Sequence, residues 1–187
     1  METRTSCETE HEFALVLTGI TELTTEAEDA LFEAGCDDAT LSVRFGAVYM
    51  TFDRVAHSLK EAILKAIKDV RRANIGAEVL RIDECNLVTQ AEIARRMGRT
   101  RQLVHQYISG KRGPGRFPAP CCQISEGTPL WAWCEVAYWL RRNNFIKEED
   151  LTKAKTVDSI NSNLEFLRQV KADPQLSEEL LEAMTGS

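Results

Sequence analysis

The chain has no apolar run long enough to span a bilayer, so no membrane-spanning helix is expected in it. No signal peptide is expected from its first residues. It holds six cysteines (Cys7, Cys36, Cys85, Cys121, Cys122 and Cys134) but no CxxC pair, and its three histidines do not cluster with them. Zinc-site spacing is therefore absent. No acid/base pair, activated nucleophile or phosphate-cradling glycine loop is visible, so an enzyme is the least supported class. These absences lead to the expectation of a reduced, cytoplasmic protein, away from membranes, with buried or idle thiols and with no metal or cofactor. Cys121 and Cys122 are the only candidates for a redox-sensing thiol, because they follow a basic loop.

What is present is an uneven charge. The 187 residues are 43% apolar, enough for one large or two small domains, and the net charge is −6. Residues 1–40 carry eleven acidic residues against one base, Arg4. Between Gln90 and Arg116 the sign inverts: there are seven bases (Arg95, Arg96, Arg99, Arg101, Lys111, Arg112 and Arg116) and one acid, Glu92. An acidic part that repels DNA and a basic part that attracts it would fix which face docks.

The basic stretch also has the pattern of two short helices joined by a turn. Thr89 with Glu92 predicts a capping box and a helix from Gln90. Ile93, Ala94 and Met97 form its apolar side, and Gly98 can end it in the left-handed conformation. Thr100 caps a second helix striped by Leu103, Val104 and Tyr107, and Ser109-Gly110 stops it. Ala94 is small where the helices would cross, and Val104 would fill the space between them. This is the helix-turn-helix pattern. Arg101, Gln102, His105 and Gln106 point away from the stripe, near the start of the second helix, where such proteins read base edges. Arginine suits guanine, glutamine suits adenine, and the surrounding bases suit phosphates. Exposed arginines on two amphipathic helices also occur in many small helical domains. Here caps, turn glycine, stripe and local charge agree, and they favour double-stranded DNA.

The N-terminal part alternates differently. Residues 1–11 are polar and read as frayed. Phe13–Thr18 reads as a strand, followed by a helix from a Thr25/Glu28 box to Ala34. Leu41, Val43 and Phe45 alternate in a second strand, Gly46 turns the chain, and Val48, Met50 and Phe52 alternate in a third. A helix from Ser58 to about Ala73 and a strand Glu78–Ile82 follow. The order βαββαβ is that of the ferredoxin-like split βαβ, an α+β arrangement that hosts many functions and names none. Asp37-Asp38 reads as a solvated turn, and His57 as a polar loop residue.

Asp83–Val88 reads as a linker. After the helix-turn-helix, Phe117–Pro120 is held extended by its prolines, and Gln123–Gly127 turns back to Leu130-Trp131, which predicts a two-stranded wing. A helix over 134–142 carries Trp139, which with Trp131 would anchor the core. From Lys147 an apolar seam (Leu151, Ala154, Val157, Ile160, Leu164, Leu167) predicts a helix of about twenty residues. Asp173-Pro174 would start a last helix striped by Leu176, Leu180, Leu181 and Met184. The seam would pack either on the chain's own domains or on a second copy.

The run Glu92-Ile93-Ala94…Gly98, Val104, Gly113-Pro114-Gly115…Phe117-Pro118…Pro120, Trp131, Val136 and Trp139-Leu140 resembles the winged helix-turn-helix of excisionase and MerR-like DNA-binding domains, in their small actinobacterial form. The resemblance covers about residues 86–142. It implies a recognition helix in the major groove, with contacts from Arg99, Thr100, Arg101, Gln102, His105 and Gln106. It implies phosphate contacts from Lys111, Arg112 and Arg116 in the loop and wing. Arg95 and Arg96 join them through their charge. The expected plan is a ferredoxin-like domain over 1–82, a winged helix-turn-helix domain over 84–146, and a C-terminal helical segment over 147–187 suited to dimerisation. The expected function is a sequence-specific transcriptional regulator. The alternatives are an antitoxin-type module, whose N-terminal domain binds a protein partner while the DNA-binding domain represses its own gene, and an excisionase-type recombination accessory.

Overall fold

The computed structural model of the protein describes residues 8–186, so Cys7 and most of the expected frayed start lie outside the described residues. The chain divides into two compact units. One comprises the chain up to Glu84 together with the chain from Ser159 onward; the other is Cys85–Asp158. The architecture is mixed α+β.

In the first unit, β1 (Thr9–Thr18), α1 (Thr25–Glu33), β2 (Ala39–Arg44), β3 (Ala47–Ala56), α2 (Leu59–Ala73) and β4 (Glu78–Ile82) follow in the expected order. The strands form one antiparallel sheet, β2-β3-β1-β4. Phe13, Leu15 and Leu17 of β1 are buried, as are Val48, Met50 and Phe52 of β3, because alternate residues share one face. Phe13 lies opposite Phe52 with their rings stacked, centroids 5.0 Å apart. Leu31 of α1 and Ala62, Ile63, Ala66 and Val70 of α2 complete the core.

Four local expectations are corrected. β1 starts at Thr9 rather than Phe13, because Thr9–Glu12 pair with Ala56–Asp53 of a longer β3. The cap of α1 is Thr24, one residue earlier than expected, whose hydroxyl accepts from the Ala27 N–H at 3.3 Å, and with alanine at that position the reciprocal half of the Thr25/Glu28 box does not form. Phe45 is not an inward strand residue. It sits with Gly46 in the β2–β3 turn, both at positive φ (52° and 77°) as a type I′ hairpin requires, and its ring is fully exposed. Asp38 is not a solvated turn residue. Position 54 continues the inward phase of β3, which places Arg54 in the core at 3% exposure. Its Nε and Nη2 donate to the two Asp38 carboxylate oxygens, each at 2.7 Å. Its Nη1 donates to buried Asp69 at 2.8 Å, and Nη2 also donates to the Gly35 carbonyl at 2.7 Å.

α6 (Glu148–Ala172) is a continuous helix of 25 residues, longer than the seam suggested. Its Asn161 closes the free edge of β4: the side-chain carbonyl accepts from the Ile82 N–H at 2.7 Å, and the amide donates to the Ile82 and Glu84 carbonyls at 3.3 and 3.1 Å. A buried side-chain amide thus does the work of a neighbouring strand, which an exposed edge otherwise invites from another chain. α7 (Pro174–Thr185) is capped by Asp173, as the Asp-Pro pair predicts, and buries none of its residues.

The second unit contains β5 (Leu87–Val88), α3 (Gln90–Arg96), α4 (Arg101–Ile108), β6 (Trp131–Ala132) and α5 (Trp133–Arg142). The expected two-stranded wing is reduced to one bridge, Cys122 with Leu130. Pro118 and Pro120 have no N–H to give to a ladder. The strand after the loop pairs instead with Leu87–Val88, the stretch read as linker. Val88, Ile93, Ala94, Val104, Tyr107, Trp131, Val136, Trp139 and Leu140 make one core.

Candidate nucleic-acid interface

α3 and α4 are built as their sequence dictates. The Thr89 hydroxyl accepts from the Glu92 N–H at 3.2 Å, and the Thr100 hydroxyl accepts from the Leu103 N–H at 3.3 Å. Between the helices the chain makes a Schellman turn: the Arg99 N–H donates to the Ala94 carbonyl at 2.9 Å and the Gly98 N–H to the Arg95 carbonyl at 3.1 Å. Gly98 stands at φ 60° with open space around it. Val104 and Tyr107 are buried in the core that Ile93 and Ala94 share, so α4 is fixed in rotation. Its opposite face carries Arg101, Gln102 and His105, all exposed, with Gln106 half-buried beside them.

The loop after α4 is held in place. Trp139 Nε1 donates to the Gly115 carbonyl at 2.9 Å, and Trp131 Nε1 donates to the Pro118 carbonyl at 3.1 Å. Phe117 meets Trp139 edge to face, centroids 4.9 Å apart. Gly113 lies over the Tyr107 ring at φ 87°, and a Cβ there would come within 2.7 Å of a ring carbon. The two core tryptophans thus also fix the backbone that presents Lys111, Arg112 and Arg116.

The eleven candidate residues separate by partner. Glu92 was expected to reach back to the Thr89 N–H. It instead binds Arg95 through Nε and Nη2 at 2.8 and 2.6 Å, and Arg96 at 2.8 Å. These guanidinium groups hold the Glu92 carboxyl well below its usual range, at about 2. Arg96 also donates to the Cys85 carbonyl at 3.2 Å and lies over the Trp133 ring, 4.7 Å from its centroid. Thr100 spends its hydroxyl oxygen on the helix cap. Arg99, Arg101, Lys111, Arg112 and Arg116 are exposed, and among the described residues none has a carboxylate within ion-pair distance. Five cations without counterions among the described residues, Arg99 on the turn before α4, Arg101 on the rotationally fixed helix and three on the pinned loop, form a surface that can neutralise phosphates.

Compared with protein-family models, curated proteins and solved structures, the chain matches none.

The five cysteines among the described residues are free. Burial pushes the Cys36 thiol up to about 11, and burial and the Cys122 neighbour raise the Cys121 thiol. A raised thiol disfavours the thiolate that redox sensing requires. Among the described residues no three His, Cys, Asp or Glu side chains group as metal ligands, and no helix is long and apolar enough to cross a membrane. Sequence reasoning missed the Arg54 cluster. Its signal was the β3 alternation, which put an arginine where the pattern demanded an apolar residue.

Proposed function

We propose that this protein is a sequence-specific DNA-binding transcriptional regulator of the winged helix-turn-helix kind. The start of α4 enters the major groove, and the loop carrying Lys111, Arg112 and Arg116 lies on the flanking backbone. One observation carries the reading. α4 buries Val104 and Tyr107 while the side chains of Arg101, Gln102 and His105 stand exposed and without partners among the described residues. Those side chains are of the types that read base edges, on the first turns of a helix. Arg95 and Arg96, engaged with Glu92, take a lesser part.

The four-stranded unit is read as a ferredoxin-like domain whose acidic start repels DNA and leaves its surface for a protein partner. A second copy would cover Leu176, Leu180, Leu181 and Met184 of α7, all at least 45% exposed. Two-fold pairing would make the binding site palindromic. The test is selection of duplexes from a random pool by the whole chain. A single enriched motif supports the proposal. Absence of binding at low salt by folded protein removes it.

A further inference from the structure

Beside the candidate interface, within the second unit, lies a cleft of about 740 Å³. That volume falls in the range of small-molecule sites. Pro118, Tyr138 and Trp139 line it with apolar surface. The Trp139 indole N–H is already spent on the Gly115 carbonyl, so the indole offers this space carbon only. Tyr138 is 55% exposed, large for an aromatic on a helix that buries four of its ten residues. Its hydroxyl has no partner among the described residues. Three cations, Arg116, Arg142 and Lys155, also line the cleft, against one carboxylate, Glu135. None of the three has a carboxylate within ion-pair distance among the described residues, so Glu135 does not neutralise them. A concave aromatic surface ringed by an excess of unpaired cations is complementary to one kind of ligand: flat, largely apolar, and anionic. Guanidinium groups bind carboxylates, sulfonates and phosphates through paired, charge-assisted hydrogen bonds.

We propose that this cleft is a binding site for a small amphipathic anion, such as an aromatic carboxylate, which stacks on Tyr138 and Trp139 and takes its charge to Arg142 and Lys155. Gly115 and Arg116 belong both to this wall and to the basic loop, so a bound ligand would touch the loop directly. The site itself does not depend on the DNA-binding reading.

The test uses anilinonaphthalene sulfonate, a fluorescent aromatic anion, and its uncharged parent phenylnaphthylamine, titrated into the full-length chain. One sulfonated dye should bind per chain, and the uncharged parent at least tenfold more weakly. The double substitution Arg142→Ala/Lys155→Ala should weaken the dye about tenfold or more with the fold intact by circular dichroism, and Arg142→Lys, which keeps the charge and loses the planar fork, should retain part of the binding. Leu176→Ser/Leu180→Ser should leave the dye affinity unchanged. Equal binding of the uncharged parent, wild-type affinity in the Arg142/Lys155 double variant, or loss of binding in the Leu176/Leu180 variant would each overturn the proposal. So would a double variant that binds DNA less tightly and dye normally, because the cleft would then seat a nucleic-acid backbone. Since the titration contains no DNA, a failed duplex selection and a failed dye site are separate results.

Discussion

Arg54 and Arg101 are the same residue type in opposite situations. Arg54 is buried in the first unit, its guanidinium donating to Asp38, Asp69 and the Gly35 carbonyl and lying over the Phe52 ring, 4.9 Å from its centroid. Arg101 opens α4 in the second unit, exposed and without a counterion among the described residues. Arg95 and Arg96 stand between these extremes, on the surface but shared with Glu92. What an arginine does is set by which carboxylates the fold has already given it. A saturated guanidinium organises the chain, and an unsaturated one is available to a polyanion. Counting bases in the sequence put Arg95, Arg96 and Arg101 in one class; the partners separate them.

Arg54→Ala is the most damaging way to break this contrast. It leaves Asp38 without its cation and buried Asp69 with Arg72 alone, whose Nη2 donates to it at 2.8 Å, and removing one partner from a buried pair costs about 3–5 kcal/mol. Urea denaturation should show that loss, and Arg54→Lys should recover only part of it because an ammonium lacks the planar fork. On the other side, Gly113→Ala should cost about 1–3 kcal/mol, from the left-handed conformation and from the contact with the Tyr107 ring. It should also displace the loop, which proteolysis between Gly110 and Pro118 would detect. Arg112→Ala should leave stability unchanged and weaken selected and random duplexes alike. It should reduce the magnitude of the log–log salt slope by roughly one.

The smallest effect is that of Glu92→Gln. The folded carboxyl sits near 2 against an ordinary 4.5, held down by its hydrogen bonds to Arg95 and Arg96. The stability it adds is therefore fully present above pH 4.5 and is lost as the pH falls towards 2. Wild type should exceed Glu92→Gln in stability at neutral pH and converge with it in acid. A constant offset across that window would mean the ion pairs add nothing.

Local rules made most elements legible. Ser58, Thr89 and Thr100 each cap the helix that follows, and Gly98 and Gly35 end helices at positive φ, because these signals lie within four residues of one another. Thr24 rather than Thr25 caps α1 because two adjacent threonines offer two registers, and sequence spacing alone favoured the one with Glu28. The Arg54 cluster was not legible. Gly35 and Asp38 lie in the connection between α1 and β2 and Asp69 lies on α2, and only the fold brings them to β3. The wing was over-read for a related reason. The partner of Trp131–Ala132 comes from more than forty residues earlier, at Leu87–Val88, and nearby extended prolines competed for it in the sequence. The exposed face of α4 was legible residue by residue, since it is the complement of a buried stripe. The engagement of Arg95 and Arg96 was open to a spacing rule, since Glu92 stands three and four residues before them on α3, but the capping-box reading assigned the same carboxylate to the Thr89 N–H.

The central claim is that arginines without partners, not arginines in general, bind DNA. It is tested most directly by comparing Arg101→Ala with Arg95→Ala, each titrated with the selected duplex and a scrambled one at several salt concentrations. Arg101→Ala should lose about 1–3 kcal/mol on the selected duplex, little on the scrambled one, and relax preference at one base-pair position. Arg95→Ala should preserve base preference and shift both affinities only slightly. If Arg101→Ala weakens both duplexes equally and keeps base preference, or if Arg95→Ala causes the larger loss of specificity, α4 does not read the groove.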